Sequence, residues 1–154
     1  MIPSPPSPQS PPRPLSIAVV LADFNPRIAE TMLEAARAEI LDAEARLALS
    51  AVIRVPGCYE TPAVVDRLLA KPTQGAVVVL GYIERGETLH GQVMGAVVHA
   101  KLVDLAIAHK KPVGLGIIGP GATLEQAEKR TIGHARAAVR AVLRSLEAFE
   151  QIDE

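Results

Sequence analysis

The sequence predicts an α/β domain with three layers, in which a four-stranded parallel sheet is flanked by helices. Four short runs of valine, isoleucine, leucine and alanine alternate with longer segments of helical periodicity, the pattern of strands joined by crossover helices. The runs are apolar throughout, as expected of parallel strands buried on both faces. With 154 residues and 49% hydrophobic content, the chain is long enough for one domain with a proper core.

The composition also limits the partners that we expect. A net charge of −1 without a basic cluster argues against nucleic acid and is compatible with self-association. The single cysteine, Cys58, excludes an internal disulfide framework and favours a reducing cytoplasm. We expect no membrane partner, because we find no apolar run of membrane-spanning length and no signal peptide.

Residues 1–14 are dominated by proline and serine and are predicted to form a disordered tail before a single domain at residues 15–154. Proline removes backbone donors, and this segment has almost nothing to bury. A ligand for a proline-recognising module is the functional alternative for the tail.

In the first half of the domain, Ser16–Ala22 is predicted as the first strand. Asn25 and Pro26 fit the N-cap and first position of a helix, whose apolar periodicity continues to about Leu47. Leu49–Val55 is predicted as the second strand, which a Pro-Gly turn ends.

In the second half, a helix that stops before Pro72 leads into the third strand, Gly75–Ile83. A long helix is predicted from His90 to about Lys110, followed by a fourth strand at Val113–Ile118. The residues predicted to share one apolar face of this helix are Val93, Val97, Val98, Leu102 and Leu105.

Gly119–Ala122 is predicted as a turn before the last helix. Thr123 and Gln126 have the spacing of a capping box at the start of that helix. An interruption of the helix is expected near Gly133.

Parallel α/β sheets bind ligands beyond the carboxyl ends of their strands. This rule gathers four segments on one rim: Phe24-Asn25, Cys58 to Glu60, Ile83 to His90, and Gly119 to Thr123. The segment from Ile83 to His90 is a polar loop that leads from a strand to a helix N-terminus. The unpaired N–H groups and the dipole at such a helix start suit a phosphate.

Several rim residues have two interpretations. Phe24 is either an ordinary core aromatic or a stacking surface for a planar heterocycle. Asn25 is expected to act as a helix cap and is able to contact a ligand as well. Glu60 either favours a helix dipole or accepts paired N–H donors from a heterocycle edge. Cys58 is expected to be a small buried thiol rather than a nucleophile.

His90 is the candidate for acid–base chemistry, because imidazole titrates near neutrality and stands here at a helix start suited to phosphate. A structural role is the alternative for His90. Arg130 is either a solvated helix charge or a phosphate clamp. His99, His109 and His134 lack close metal-ligand spacings, so no metal is expected.

These stretches together resemble the 6,7-dimethyl-8-ribityllumazine synthase family of riboflavin biosynthesis, over about residues 15–148. Each motif is weak alone, but five in order are specific. The motifs are Phe24-Asn25; Val55-Pro56-Gly57-Cys58-Tyr59-Glu60-Thr61-Pro62; Leu80-Gly81 through Arg85-Gly86-Glu87-Thr88 with His90; Pro112-Val113 through Gly116; and Glu125-Gln126-Ala127 with Arg130.

The resemblance implies a flavodoxin-like fold and the condensation of 5-amino-6-ribitylaminouracil with 3,4-dihydroxy-2-butanone 4-phosphate to 6,7-dimethyl-8-ribityllumazine. Phe24 would stack on the pyrimidine, Asn25 would help to position the ribityl chain, and His90 would shuttle protons. The residues implied to hold the ribityl group and the ring are Cys58, Tyr59, Glu60, Ile83 and Glu84. The residues implied to bind the phosphate are Gly86, Glu87, Thr88 and Arg130.

The family also implies a homo-oligomer with its sites between subunits, either a pentamer or twelve pentamers in an icosahedral capsid. Arg130 and Leu115 would reach the site of a neighbouring subunit. The reaction requires orientation, proton transfer and leaving-group stabilisation, and no cofactor is expected.

The chain departs from the family pattern at Glu84, at Leu115, at Gly91-Gln92 and in a shorter segment after Arg130. These departures favour an alternative in which the protein is a non-catalytic or diverged cage-forming relative that binds a flavin-like or lumazine-like ligand. An unrelated flavodoxin-like domain is a third interpretation, since a fold alone does not determine an activity.

Overall fold

A computed structural model describes residues 13–154 of the chain. The elements in chain order are β1 (Leu15–Ala22), α1 (Pro26–Asp42), β2 (Leu47–Val55), a 3-10 turn (Cys58–Glu60), α2 (Thr61–Leu69), β3 (Ala76–Glu84), α3 (His90–His109), β4 (Val113–Ala122) and α4 (Leu124–Asp153). The predicted disordered tail lies outside the described residues, apart from Arg13 and Pro14.

The strands form one parallel sheet in the order β2-β1-β3-β4. Helices α1 and α4 pack on one face of the sheet, and α2 and α3 pack on the other. Strand β3 is buried from Ala76 to Ile83, because it has a strand on each side and helices on both faces. The predicted three-layer α/β fold is confirmed, and the carboxyl ends of all four strands meet at one edge.

Glycines in β4 allow α4 to pack directly on the strand. A Cβ atom on Gly114 would lie 2.4 Å from the carbonyl oxygen of Ala138, and one on Gly116 would lie 3.2 Å from the Cβ atom of Ala138. The helix that carries Arg130 is therefore held by close contact between two backbones.

The predicted length of α1 is wrong at its C-terminus. The helix ends at Asp42 rather than near Leu47, and residues 43–46 form turns before β2. The local sequence is rich in good helix formers and contains no stop signal. The end is imposed by tertiary structure, since Leu47 is buried and pairs with Leu15 of β1.

The predicted turn at Gly119–Ala122 is part of β4. The pairing of β3 with β4 is irregular after Tyr82 and resumes where Glu84 pairs with Ala122. Gly119 and Gly121 have φ angles of 93° and 95°, values that other residues rarely adopt. The turn residues therefore form a bulge, after which the strand rejoins its partner.

The predicted interruption of α4 is also wrong, because the helix runs without a break from Leu124 to Asp153. Gly133 lies on its exposed face, and a Cβ atom there would meet nothing within 4 Å. The capping box of Thr123 and Gln126 is confirmed.

The apolar face predicted for α3 is only partly buried. Val98 and Leu102 face the core, whereas Val93 and Val97 are 61% and 47% exposed. The helix is apolar nearly all round, so periodicity alone did not select the buried side.

By length and composition α3 is able to cross a membrane, contrary to the sequence prediction. In the fold, however, this helix packs against the sheet on the same face as α2, with Val98 and Leu102 buried in the core. The absence of a membrane partner and a cytoplasmic location stay predictions.

Candidate active site

The candidate site lies at the carboxyl edge of the sheet, where the segments that follow three strands meet. Phe24 follows β1, the turn Cys58–Glu60 follows β2, and the polar loop Arg85–Leu89 follows β3. The buried hydroxyl of Thr61 donates to the carbonyl oxygen of Cys58 at 2.6 Å and holds the turn against the start of α2. These segments enclose a cavity of about 440 Å³, which we call the main cavity.

Most of the predicted site residues line the main cavity. Its lining consists of Phe24, Pro56, Gly57, Cys58, Tyr59, Glu60, Tyr82, Ile83, Glu84, Gly86, Thr88, His90, Gly91 and Met94. The topology therefore brings together residues that lie far apart along the chain.

The main cavity combines exposed aromatic rings with an apolar base. Phe24 and Tyr59 are 62% and 65% exposed, whereas Cys58 and Ile83 are buried. The exposure of Phe24 rules out its interpretation as a core aromatic. Aromatic faces beside buried apolar groups suit a planar ring that stacks.

A second cavity, the loop cavity, adjoins the main cavity along the polar loop and has a volume of about 430 Å³. Its lining consists of Glu84, Arg85, Gly86, Glu87, Thr88, Leu89, Gly91, Gln92, Pro120 and Gly121. The two cavities share Glu84, Gly86, Thr88 and Gly91, so one ligand or two adjoining ligands can occupy both.

The start of α3 forms one side of the loop cavity. Leu89 is the N-cap residue and makes no side-chain bond to the helix. The hydroxyl oxygen of Thr88 accepts the N–H of His90 at 3.3 Å. The N–H groups of a helix's first turn have no partner within the helix, and together with the helix dipole they suit an anion.

The charges around the two cavities are mostly negative. Glu60 lines the main cavity, Glu87 lines the loop cavity, and Glu84 lines both. Arg85 brings one guanidinium group to the loop cavity. His90 brings an imidazole ring to the main cavity.

The thiol at the base of the main cavity is inert at neutral pH. Burial raises the pKa of Cys58 to about 12, and the charge of Glu60 acts in the same direction. Because the thiolate is the nucleophile, Cys58 contributes shape and backbone groups rather than covalent chemistry. This agrees with its prediction as a buried thiol.

Three predicted site residues line neither cavity of this chain. The side-chain oxygen of Asn25 accepts the N–H of Ile28 at 3.2 Å, which confirms its role as a cap. Arg130 is exposed on α4, where it donates to the carbonyl oxygen of Gln126 at 2.9 Å. Leu115 lines a separate apolar groove beside β4, together with Val103, Ile107 and Phe149.

Sequence reasoning missed several residues that line the main cavity, notably Tyr82, Gly91 and Met94. Met94 was accessible to it, because it lies four residues after His90 and so on the same side of the helix. A Cβ atom on Gly91 would lie 3.0 Å from the carbonyl oxygen of Glu84, so the absence of a side chain lets α3 approach β3. Nothing in the sequence indicated that Tyr82 lines the cavity, because a strand that is buried on both faces lacks the alternation that would show which residues face which side.

Comparison with known proteins agrees with the resemblance of the motifs. Residues 14–150 match the family model described as 6,7-dimethyl-8-ribityllumazine synthase. The protein of that name from Saccharolobus islandicus is 39% identical over 142 residues, which cover 91% of this chain and 90% of that protein. The corresponding protein from Staphylothermus marinus is 40% identical over 140 residues, covering 90% and 91%. A third, from Metallosphaera sedula, is 40% identical over 132 residues, covering 84% and 85%. The chain therefore belongs to the 6,7-dimethyl-8-ribityllumazine synthase family.

Proposed function

We propose that this chain condenses 5-amino-6-ribitylaminouracil with 3,4-dihydroxy-2-butanone 4-phosphate, forming 6,7-dimethyl-8-ribityllumazine, inorganic phosphate and two molecules of water. The observation that supports the proposal most directly is that a cavity lined by exposed aromatic rings adjoins a cavity at a helix N-terminus. The reaction joins a planar heterocycle to a phosphorylated ketone, so each cavity matches one substrate.

The heterocycle occupies the main cavity in this proposal. Phe24 stacks on the pyrimidine, with Tyr59 at the other exposed aromatic position. Glu60 accepts hydrogen bonds from the polar edge of the ligand. Asn25, whose side-chain oxygen already caps α1, offers its NH2 group to the ribityl hydroxyls.

The phosphate occupies the loop cavity. Gly86 and Glu87 contribute backbone to the cradle, Thr88 contributes a hydroxyl, and the first turn of α3 contributes N–H groups and its dipole. Glu84 and Glu87 offset much of the positive charge that Arg85 provides there. An anionic substrate therefore needs a further cation, and we infer that Arg130 of a neighbouring subunit supplies it.

His90 transfers protons between these two positions. Attack of the amine on the ketone releases a proton, and the oxygen atoms lost in the condensation and in the ring closure must each be protonated to leave as water. His90 lines the main cavity where the polar loop joins α3, next to the boundary that the reacting atoms of the two substrates would share. Orientation of the two substrates and stabilisation of the leaving phosphate account for the remainder of the rate enhancement.

We also infer that the chain forms a homo-oligomer, as a pentamer or as sixty subunits in an icosahedral capsid. A stripe of exposed apolar residues runs along α3 with alternating spacings of four and three, as in the seam of a helical bundle. The members of this stripe, which we call the α3 stripe, are Leu89, Val93, Ala96, Ala100, Val103 and Ile107. An exposed apolar stripe of this kind is normally buried against another part of a protein or against a partner. The α3 helices of other subunits, arranged around a symmetry axis, would bury it.

The test is a turnover assay with both substrates, in which lumazine absorbance is followed and the uncatalysed rate is subtracted. We expect saturable turnover that falls by about 10²-fold to 10⁴-fold in a His90→Ala variant, because general acid–base catalysis contributes about that much. Sedimentation should show that the variant assembles normally. Turnover that persists unchanged would remove His90 from the mechanism.

The second candidate is a relative that binds a flavin-like or lumazine-like ligand without catalysis. One observation favours it: Glu84 brings a carboxylate to the boundary of the two cavities, where it repels a phosphorylated substrate. An assembled protein that binds lumazine, measured by fluorescence titration, but shows no turnover would establish this alternative.

A further inference from the structure

The end of β4 is tied to the polar loop through a single carbonyl oxygen, that of Ala122. The buried hydroxyl of Tyr82 donates to this oxygen at 2.9 Å. The backbone N–H of Arg85, the first residue of the polar loop, donates to the same oxygen at 3.3 Å. Ala122 also precedes Thr123, the N-cap of α4, so three parts of the site converge at this carbonyl.

This junction lies where ordinary sheet pairing is interrupted. The bulge at Gly119–Gly121 separates the regular pairing of β3 and β4 from the pair Glu84 and Ala122. The bonds to the Ala122 carbonyl therefore connect the two strands again at the point where the loop begins. Without the hydroxyl of Tyr82, the N–H of Arg85 is the remaining donor to that carbonyl among the described residues.

We propose that Tyr82 is a positioning residue, whose hydroxyl fixes the start of the phosphate-binding loop through the carbonyl of Ala122. This inference rests on the function proposed above. A tyrosine is not needed to fill the space, because a phenylalanine ring would pack equally well among the core residues between the sheet and helices α1 and α4. A buried hydroxyl costs free energy unless it is hydrogen-bonded, so its bond to Ala122 is the feature that a phenylalanine lacks.

The hydroxyl remains a donor throughout the neutral range. Burial, followed by the negative charge of Glu84, raises the pKa of Tyr82 above its ordinary value. The bond to Ala122 is therefore present at every pH at which the enzyme would be assayed.

The test is a Tyr82→Phe variant of the assembled full chain. We expect the dissociation constant for inorganic phosphate and the Michaelis constant for the phosphorylated ketone to rise about fivefold, the usual effect of one lost hydrogen bond. The Michaelis constant for the ribitylamino substrate should change less than about twofold, because the ring of residue 82 and its packing in the core are retained.

Ser50→Ala is the matched control. It also removes a strand hydroxyl that lies within hydrogen-bond distance of a strand carbonyl, that of Ile17 at 3.2 Å, and of the side-chain oxygen of Gln74 at 2.9 Å, but towards the amino ends of the strands, away from the site. A purely structural role predicts that both variants lower the melting temperature and leave phosphate binding alone.

The outcomes separate this inference from the proposed function. If the wild-type chain turns over and Tyr82→Phe leaves phosphate binding and both Michaelis constants unchanged, Tyr82 does not position the loop, while the proposed function stands. If the wild-type chain shows no turnover, the proposed function fails, and the positioning role of Tyr82 is then tested by phosphate titration alone. Weaker phosphate binding by Tyr82→Phe than by the wild-type chain then supports the positioning role, whereas equal binding by the two, or no binding by the wild-type chain, overturns it.

Discussion

Replacing Ile107 with lysine tests whether the α3 stripe holds subunits together. Ile107 is 70% exposed near the C-terminal end of α3, so a lysine there meets solvent in the isolated chain and should leave its fold intact. In an assembly whose subunits meet along this stripe, every copy of the lysine would enter an apolar seam. The variant therefore separates folding of the chain from association of the chains.

The size of the effect follows from the exposure of the side chain. Complete burial of an isoleucine side chain contributes about 1.5–3 kcal/mol. Because 70% of Ile107 is exposed, covering it with a neighbour contributes about 1–2 kcal/mol per subunit, or about 5–10 kcal/mol over a pentamer. A buried lysine adds a desolvation penalty, and lysines that converge on an axis repel one another.

Sedimentation velocity and native mass spectrometry across a range of protein concentrations provide the assay. We expect Ile107→Lys to sediment as smaller species at concentrations at which the wild-type chain is fully assembled. Leu41→Lys is the control, because Leu41 is 66% exposed at the end of α1, on the opposite face of the sheet. If Ile107→Lys assembles as well as the wild type, the α3 stripe is not the seam and the reasoning from its spacing is wrong.

Three further variants test the site and its support. Arg130→Ala should raise the Michaelis constant for the phosphorylated ketone about tenfold or more, since a charge-assisted bond to phosphate is lost; an equal effect on both substrates would indicate a structural role. Native Cys58 should react with iodoacetamide at pH 8 more slowly than the unfolded chain by about a thousandfold or more, because a pKa near 12 leaves little thiolate; comparable rates would contradict the burial of this thiol. Because the folded chain holds the thiol proton more tightly than the unfolded chain, the free energy of unfolding should fall as the pH rises from about 8.5, the thiol pKa of the unfolded chain, towards the raised pKa of folded Cys58. Thermal melts across this pH range should show a smaller fall in stability for Cys58→Ala. Gly114→Ala should destabilise the fold by about 1–3 kcal/mol, because its Cβ would lie 2.4 Å from a backbone oxygen of α4; an unchanged melting temperature would refute this close contact.

The elements of the sheet were accessible from sequence because each has a local cause. Strand β3 is an uninterrupted apolar run, and the starts of α1 and α4 carry caps whose side chains make the bonds that their sequence predicts. Where a boundary depends on distant partners, prediction failed. The end of α1 is imposed by the pairing of Leu47 with Leu15, and the strand character of Ala122 depends on its pairing with Glu84.

The site was predictable for a different reason, since the carboxyl-edge rule collects strand ends without any knowledge of side-chain directions. That rule brought Phe24, Glu60 and His90 to one rim, and all three line the main cavity. The rule does not show which residues between those ends face the cavity. Tyr82 lies inside a fully buried strand, and its bond to Ala122 spans 40 positions of the chain, so no local pattern indicates it.

The charges of the single chain connect its proposed chemistry to its assembly. The loop cavity has Glu84 and Glu87 beside Arg85, an arrangement that by itself attracts an anionic substrate poorly. Arg130 of the same chain is bonded to its own helix and lines neither cavity. If the missing cation comes from a neighbour, loss of the assembly must weaken binding of the phosphorylated ketone much more than binding of the heterocycle, whose proposed aromatic contacts lie within one chain. Ile107→Lys and Arg130→Ala should then both weaken binding of the phosphorylated ketone more than binding of the heterocycle, although the two side chains make different contacts. The same defect in both variants would connect the α3 stripe to catalysis.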